Sequence, residues 1–104
     1  MKLNYILIDK KVFYKQSNQF ETEIIDNLLE THIFKHKLNS DTYIISSQFT
    51  DISKDSLNTI ASELCGESVY GVAVVVRYDP FEDESHSIFP EFLIKYNLEY
   101  INEV

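Results

Sequence analysis

Four carboxylates crowd into six residues at Asp79, Glu82, Asp83 and Glu84, within the segment Asp79-Pro80-Phe81-Glu82-Asp83-Glu84-Ser85. Carboxylates at this density can hold calcium, but an EF-hand needs a central glycine and regularly spaced ligands, and this segment has neither. Two uses remain for it, a solvated loop or a docking surface for a basic protein. Glu23, Asp26 and Glu30 would extend that negative surface from the outward side of a helix. Asp9 closes the first apolar stretch, where a lone carboxylate could bind a hard cation such as magnesium or take a proton from a nucleophile. It could equally bond the amides of a turn. His32 and His36 have the i, i+4 spacing of a metal pair, yet the hydrophobic period changes near Ile33 and no Glu follows His32, so the zinc-protease motif is absent. Cys65 falls on or beside an apolar helical stripe, as a buried, inert thiol does. Gly66 and Gly71 are the only glycines. Phosphate-binding glycine loops and the Gly-x-Ser-x-Gly nucleophile turn are therefore excluded.

The elements that must position these residues follow from the periodicity. Residues 3–9 read as a strand apolar on both faces, which Lys10-Lys11 either turns or extends into Val12-Phe13-Tyr14. Ser17-Asn18 starts a helix with Phe20, Ile24 and Leu28, then Ile25 and Leu29, at helical spacing, and Glu21 stands three after Asn18 as in a capping box. From Ile33 the period becomes two: Phe34, His36 and Leu38 alternate with Lys35 and Lys37. Asn39-Ser40-Asp41 then offers a turn before residues 42–47 return, which predicts a hairpin. A second helix is expected to begin at Ser53 with Asp55 in its first turn, carry Leu57, Ile60, Ala61 and Leu64 inward as the packing centre, and stop at Gly66. Residues 69–78 form a strand too apolar to face water on either side. Pro90 opens a short helix reaching about Tyr96, and the last residues alternate like an edge strand.

Composition bounds the class. The 104 residues are 44% apolar with two Gly and two Pro, the profile of one globular domain spanning residues 1–104. A single cysteine allows no internal disulfide, so a reducing, cytoplasmic setting is expected. The apolar run 72–76 is far short of the ~20 residues that span a bilayer, so no membrane association is expected. The net charge of −8, from 17 acidic and 9 basic side chains, repels phosphate backbones and anionic lipid and favours basic partners. Arg77 is the only arginine, so the usual bidentate phosphate clamp is missing.

The order is β-α-β-β-α-β plus a C-terminal helix/strand extension, which predicts an α+β, ferredoxin-like antiparallel sheet with two helices on one face. The other face would then be covered by the tail or by a second copy in a homodimer. The first strand ending in Asp9, the segment His36-Lys37-Leu38-Asn39-Ser40-Asp41-Thr42-Tyr43-Ile44-Ile45-Ser46-Ser47 and the apolar strand up to Tyr78 resemble the superfamily of CRISPR-associated protein two and virulence-associated protein D. That resemblance covers residues 3–78 and implies a ferredoxin-like homodimer, with Asp9 matching a metal-binding aspartate of its magnesium-dependent nucleases. Ile8 stands where the group often has Tyr. Two functions follow: an acidic module, such as an immunity protein, antitoxin or phage-type inhibitor, that masks a basic, nucleic-acid-acting protein without itself touching nucleic acid and without a cofactor; or a homodimeric metal-dependent endonuclease or an inactive relative of one. The charge favours the first.

Overall fold

The most apolar run of the chain becomes the middle of the sheet. The computed structural model describes residues 2–29, 33–47 and 56–104. Strands β1 (Leu3–Ile8) and β2 (Val12–Ser17) form an antiparallel hairpin, and β3 (Ile33–Lys37) and β4 (Thr42–Ser47) form another. Between them lies β5 (Ala73–Asp79), antiparallel to both β4 and β1. A short β6 (Glu84–His86) folds back on the end of β5, and β7 (Ile101–Asn102) joins the outer edge in parallel with β2. The order is β3-β4-β5-β1-β2-β7, with β6 off this path.

Ala73, Val74, Val75 and Val76 are each fully buried. A strand with paired neighbours on both edges and packed side chains on both faces has no outward direction left for a polar residue, which is why this run is continuously apolar. The two faces are covered by different elements. On one, a π-helix (Glu21–Leu28) with Phe20, Ile24 and Leu29 packs over Tyr5, Ile45, Val74 and Val76. On the other, α1 (Thr59–Cys65) and α2 (Glu91–Lys95) pack over Ile6, Ile8, Ile44 and Val75, with Ile88, Phe92 and Leu93 filling the centre.

The α+β class therefore holds, while two finer expectations are corrected. In the ferredoxin-like order the first strand lies between the third and the last; here β5 takes that central place. The cause is local. Lys10-Lys11 turns the chain, and β2 occupies the edge of β1 that another strand would need. The two longer helices also lie on opposite faces rather than together, and the tail shares a face with α1. Both sheet faces are thus packed within the chain, which removes the open face as a reason for a homodimer.

The helix ends differ from their sequence signals as well. The capping box of Asn18 and Glu21 does not form; the hydroxyl of Ser17 instead donates to Glu23 Oε2 at 2.7 Å and accepts from the Gln19 amide at 3.1 Å. An i→i+5 bond from the Leu29 amide to the Ile24 carbonyl (2.9 Å) closes the π-helix. This wider winding suits buried residues that step from 20 to 24 to 29. Ser53 and Asp55 lie outside the described residues, and the cap of α1 is Asn58, whose Oδ1 accepts from the Ala61 amide at 3.1 Å. Its Nδ2 donates to the carbonyls of Ile8 (2.9 Å) and Gly71 (2.8 Å), tying the helix to the end of β1. Gly66 ends α1 at φ 74, as its type and position predict. Only Ala61 of α1 is buried; the packing centre is the strand trio β4, β5 and β1, with Leu64 half-buried beside it.

Candidate functional site

The acidic segment is the turn of the β5–β6 hairpin, and its four carboxylates divide into two pairs. Asp79 and Asp83 build the turn. Asp79 Oδ1 accepts from the amides of Phe81 (2.9 Å) and Glu82 (3.4 Å), the short side chain satisfying donors that Pro80 turns away from the sheet. Asp83 sits at φ 51, a left-handed conformation that Asp tolerates better than most residues. Its carboxylate accepts from the Tyr78 hydroxyl and from Lys35 Nζ at 3.4 Å. Lys35 reaches across from β3, 2.8 Å from the Tyr78 oxygen and 3.9 Å above its ring centre.

This clasp has an electrostatic signature. The Tyr78 hydrogen bond first, and then the bond and charge of Lys35, hold Asp83 below the usual carboxylate range. Burial raises the Tyr78 phenol and the bond to Asp83 adds to it, against the opposing pull of Lys35. Burial acts to lower Lys35, but its bonds and charge contacts with Tyr78 and Asp83 outweigh that and raise it overall. All three shifts favour one arrangement, an anionic Asp83, a neutral Tyr78 and a cationic Lys35.

Glu82 and Glu84 are the other pair, both exposed and in no ion pair among the described residues. Between the two aspartates stands Phe81, 98% exposed. Sequence reading placed it within the acidic segment but gave it no role of its own; its signal was the carboxylate-flanked turn around it. Beside the hairpin a groove of about 640 Å³ runs to the start of the π-helix, lined by Glu21, Asp83 and Glu84 together with Lys2 and His86. The fold thus brings the acidic hairpin to the helix that carries the other predicted carboxylates. Glu23 and Asp26 are exposed on that helix, Glu23 being held by Ser17, while Glu30 lies outside the described residues.

The remaining candidates fall elsewhere. Asp9 is exposed in the β1–β2 turn, with its amide donating to the Lys11 carbonyl at 3.0 Å. His32 is outside the described residues, so the expected histidine pair cannot be assembled from them; His36 instead meets Glu67 and Ser46. Cys65 is half-buried at the end of α1. Arg77 is half-buried, its Nε donating to the Ser87 carbonyl at 2.6 Å with its guanidinium 4.7 Å from the Phe89 ring centre. Among the described residues no helix is long and apolar enough to cross a membrane. No protein-family model matches the chain, and no curated protein and no solved structure matches it either.

Proposed function

We propose that this chain is an acidic protein-binding module that masks the basic surface of a nucleic-acid-acting partner, in the manner of an immunity protein, antitoxin or phage-type inhibitor. The observation that carries it is Phe81 at the tip of a clasped hairpin, almost wholly exposed and followed by Glu82 and Glu84, which are exposed and in no ion pair among the described residues. Burying a Phe side chain stabilises by about 1.5–3 kcal/mol, and here folding leaves that term unused. Aromatic anchors dominate binding energy where they enter a partner's pocket. Surrounding carboxylates speed the approach of a cationic surface and penalise anionic competitors. The net charge of −8 acts in the same direction at longer range.

The test has two stages. Affinity capture from the native host should recover a basic nucleic-acid-acting protein, and adding the purified chain should then suppress that partner's activity at near-equal stoichiometry. Phe81→Ala should weaken the complex at least tenfold, the effect of losing about 1.4 kcal/mol. Asp9→Asn should leave the affinity unchanged. Recovery of the chain alone, or a complex indifferent to Phe81→Ala, would contradict the proposal.

A further inference from the structure

We infer that His36, Cys65 and Glu67 form a binding site for a thiophilic divalent cation such as zinc, on the side of the sheet covered by α1. The three come from strand β3, the end of α1 and the loop after it, and their donor atoms lie within 4.8 Å of one another. Imidazole nitrogen, thiolate sulfur and carboxylate oxygen are the donor types that zinc combines, with bonds of about 2.0–2.3 Å. A tetrahedral centre with such bonds sets its ligand atoms roughly 3.3–3.7 Å apart. The observed spread is close enough that rotation of the exposed Glu67 side chain and a small shift of Cys65 complete the geometry.

The surroundings of His36 are those of an oriented ligand. Its Nε2 lies 3.1 Å from the hydroxyl of Ser46, a buried residue on the neighbouring strand. That hydroxyl can accept from Nε2–H, the tautomer that leaves the Nδ1 lone pair for a metal. Phe34, two residues earlier on the same face of β3, stacks on the imidazole with ring centres 5.5 Å apart. Nδ1 therefore points at Glu67. Without a metal a hydrogen on Nδ1 bridges this pair, and the metal takes its place. On binding, the Cys65 thiol proton passes to solvent and Nδ1 gives up its hydrogen, to solvent from an imidazolium or by tautomer exchange to Nε2 from a neutral ring, leaving a thiolate, a neutral imidazole and a carboxylate on the ion, with the fourth position for water.

Gly66 joins the two consecutive donors. At φ 74 it reverses the chain between Cys65 and Glu67, and a side chain there would meet no atom within 4 Å, so it is backbone conformation rather than space that requires glycine.

Cobalt(II) substitutes for zinc and reports thiolate ligation by a sulfur-to-metal charge-transfer band. Titrating the reduced chain with cobalt(II) should give that band, saturating at one equivalent and displaced by zinc. Cys65→Ser should abolish the band, and His36→Ala and Glu67→Gln should each weaken zinc binding at least tenfold by calorimetry. Asp79→Asn, in the separate cluster of Asp79, Glu82 and His86, should leave the cobalt band and the zinc affinity unchanged. Glu67 is exposed, so Glu67→Gln keeps the fold and remains informative if His36→Ala unfolds. Absence of the charge-transfer band, or zinc affinity unaltered by Cys65→Ser and Glu67→Gln, would reduce the trio to a His–Glu ion pair beside an inert thiol and overturn the inference.

Discussion

The two ends of β5 obey opposite rules. From Ala73 to Val76 every side chain is fully buried, paired across the sheet with Ile6, Leu7, Ile8, Ile44 and Ile45 and, at the ends, with Ser46 and Tyr43. Beyond Tyr78 the same strand runs into a turn whose aromatic residue is 98% exposed and whose polar groups hold one another rather than the core. The inner end is explained by burial alone. The outer end is not, because a turn that served only to connect β5 to β6 would need neither an exposed phenyl ring nor a three-residue clasp to hold it still. Stability and the candidate interface are thus segregated along one strand, and substitutions should separate them.

The largest effect belongs to the inner end. Ile44→Ala, beside Val75 in the sheet, removes a fully buried side chain and should destabilise by about 2–5 kcal/mol in denaturant melts. Phe81→Ala should change stability by less than about 0.5 kcal/mol in the same experiment. A comparable loss from both would abolish the segregation. Next is Asn58→Ala, which strips α1 of its cap and leaves the buried carbonyl of Ile8 without its donor; about 2–3 kcal/mol is expected. Leu64→Ala should cost less, about 1–2 kcal/mol, since Leu64 is only half-buried.

The smallest effect concerns the clasp and is read through pH. Asp83 is held below its ordinary range in the folded chain. Its contribution is therefore fully present above the unfolded carboxylate pKa and is lost as pH falls through the lowered folded value. Acidification should release the Tyr78 and Lys35 contacts in that window, visible as a shift of the Tyr78 ring resonances. Asp83→Asn should remove this transition while leaving the global melting temperature nearly unchanged, because the group is exposed. A Tyr78 titration that persists in Asp83→Asn would assign it to another carboxylate.

Features set by neighbours in sequence were legible before the structure. The β3–β4 hairpin follows from alternation around Asn39-Ser40-Asp41, where Asn39 Oδ1 accepts from the Asp41 and Thr42 amides at 3.2 and 3.1 Å. Gly66 as helix stop, Pro90 before α2 and the edge strand at the C-terminus also follow from local chemistry. Strand order did not, since it depends on which edge of β1 is free, and the Lys10-Lys11 turn lacks the Asn-Gly signature that would have revealed β2. Ser and Asn are near-equal caps, so residue type alone did not single out Asn58. The acidic segment was legible as charge but not as structure: that Asp83 is clasped while Glu82 and Glu84 are exposed depends on Tyr78 and on Lys35, which lies far away in the chain. The meeting of His36 with Cys65 and Glu67 likewise arises only from the fold.

The most direct test of the central claim is the kinetics of the captured partner on immobilised chain, for the wild type, Phe81→Ala and the double variant Glu82→Lys/Glu84→Lys, across a salt series. The double variant should associate about tenfold more slowly at low ionic strength, with the difference fading as salt shortens the screening length. Phe81→Ala should chiefly raise the dissociation rate, because a neutral anchor acts after encounter. Circular dichroism should show both variants folded. Rates equal to the wild type for both variants at every salt concentration would contradict the claim, leaving the exposed hairpin without a role in binding.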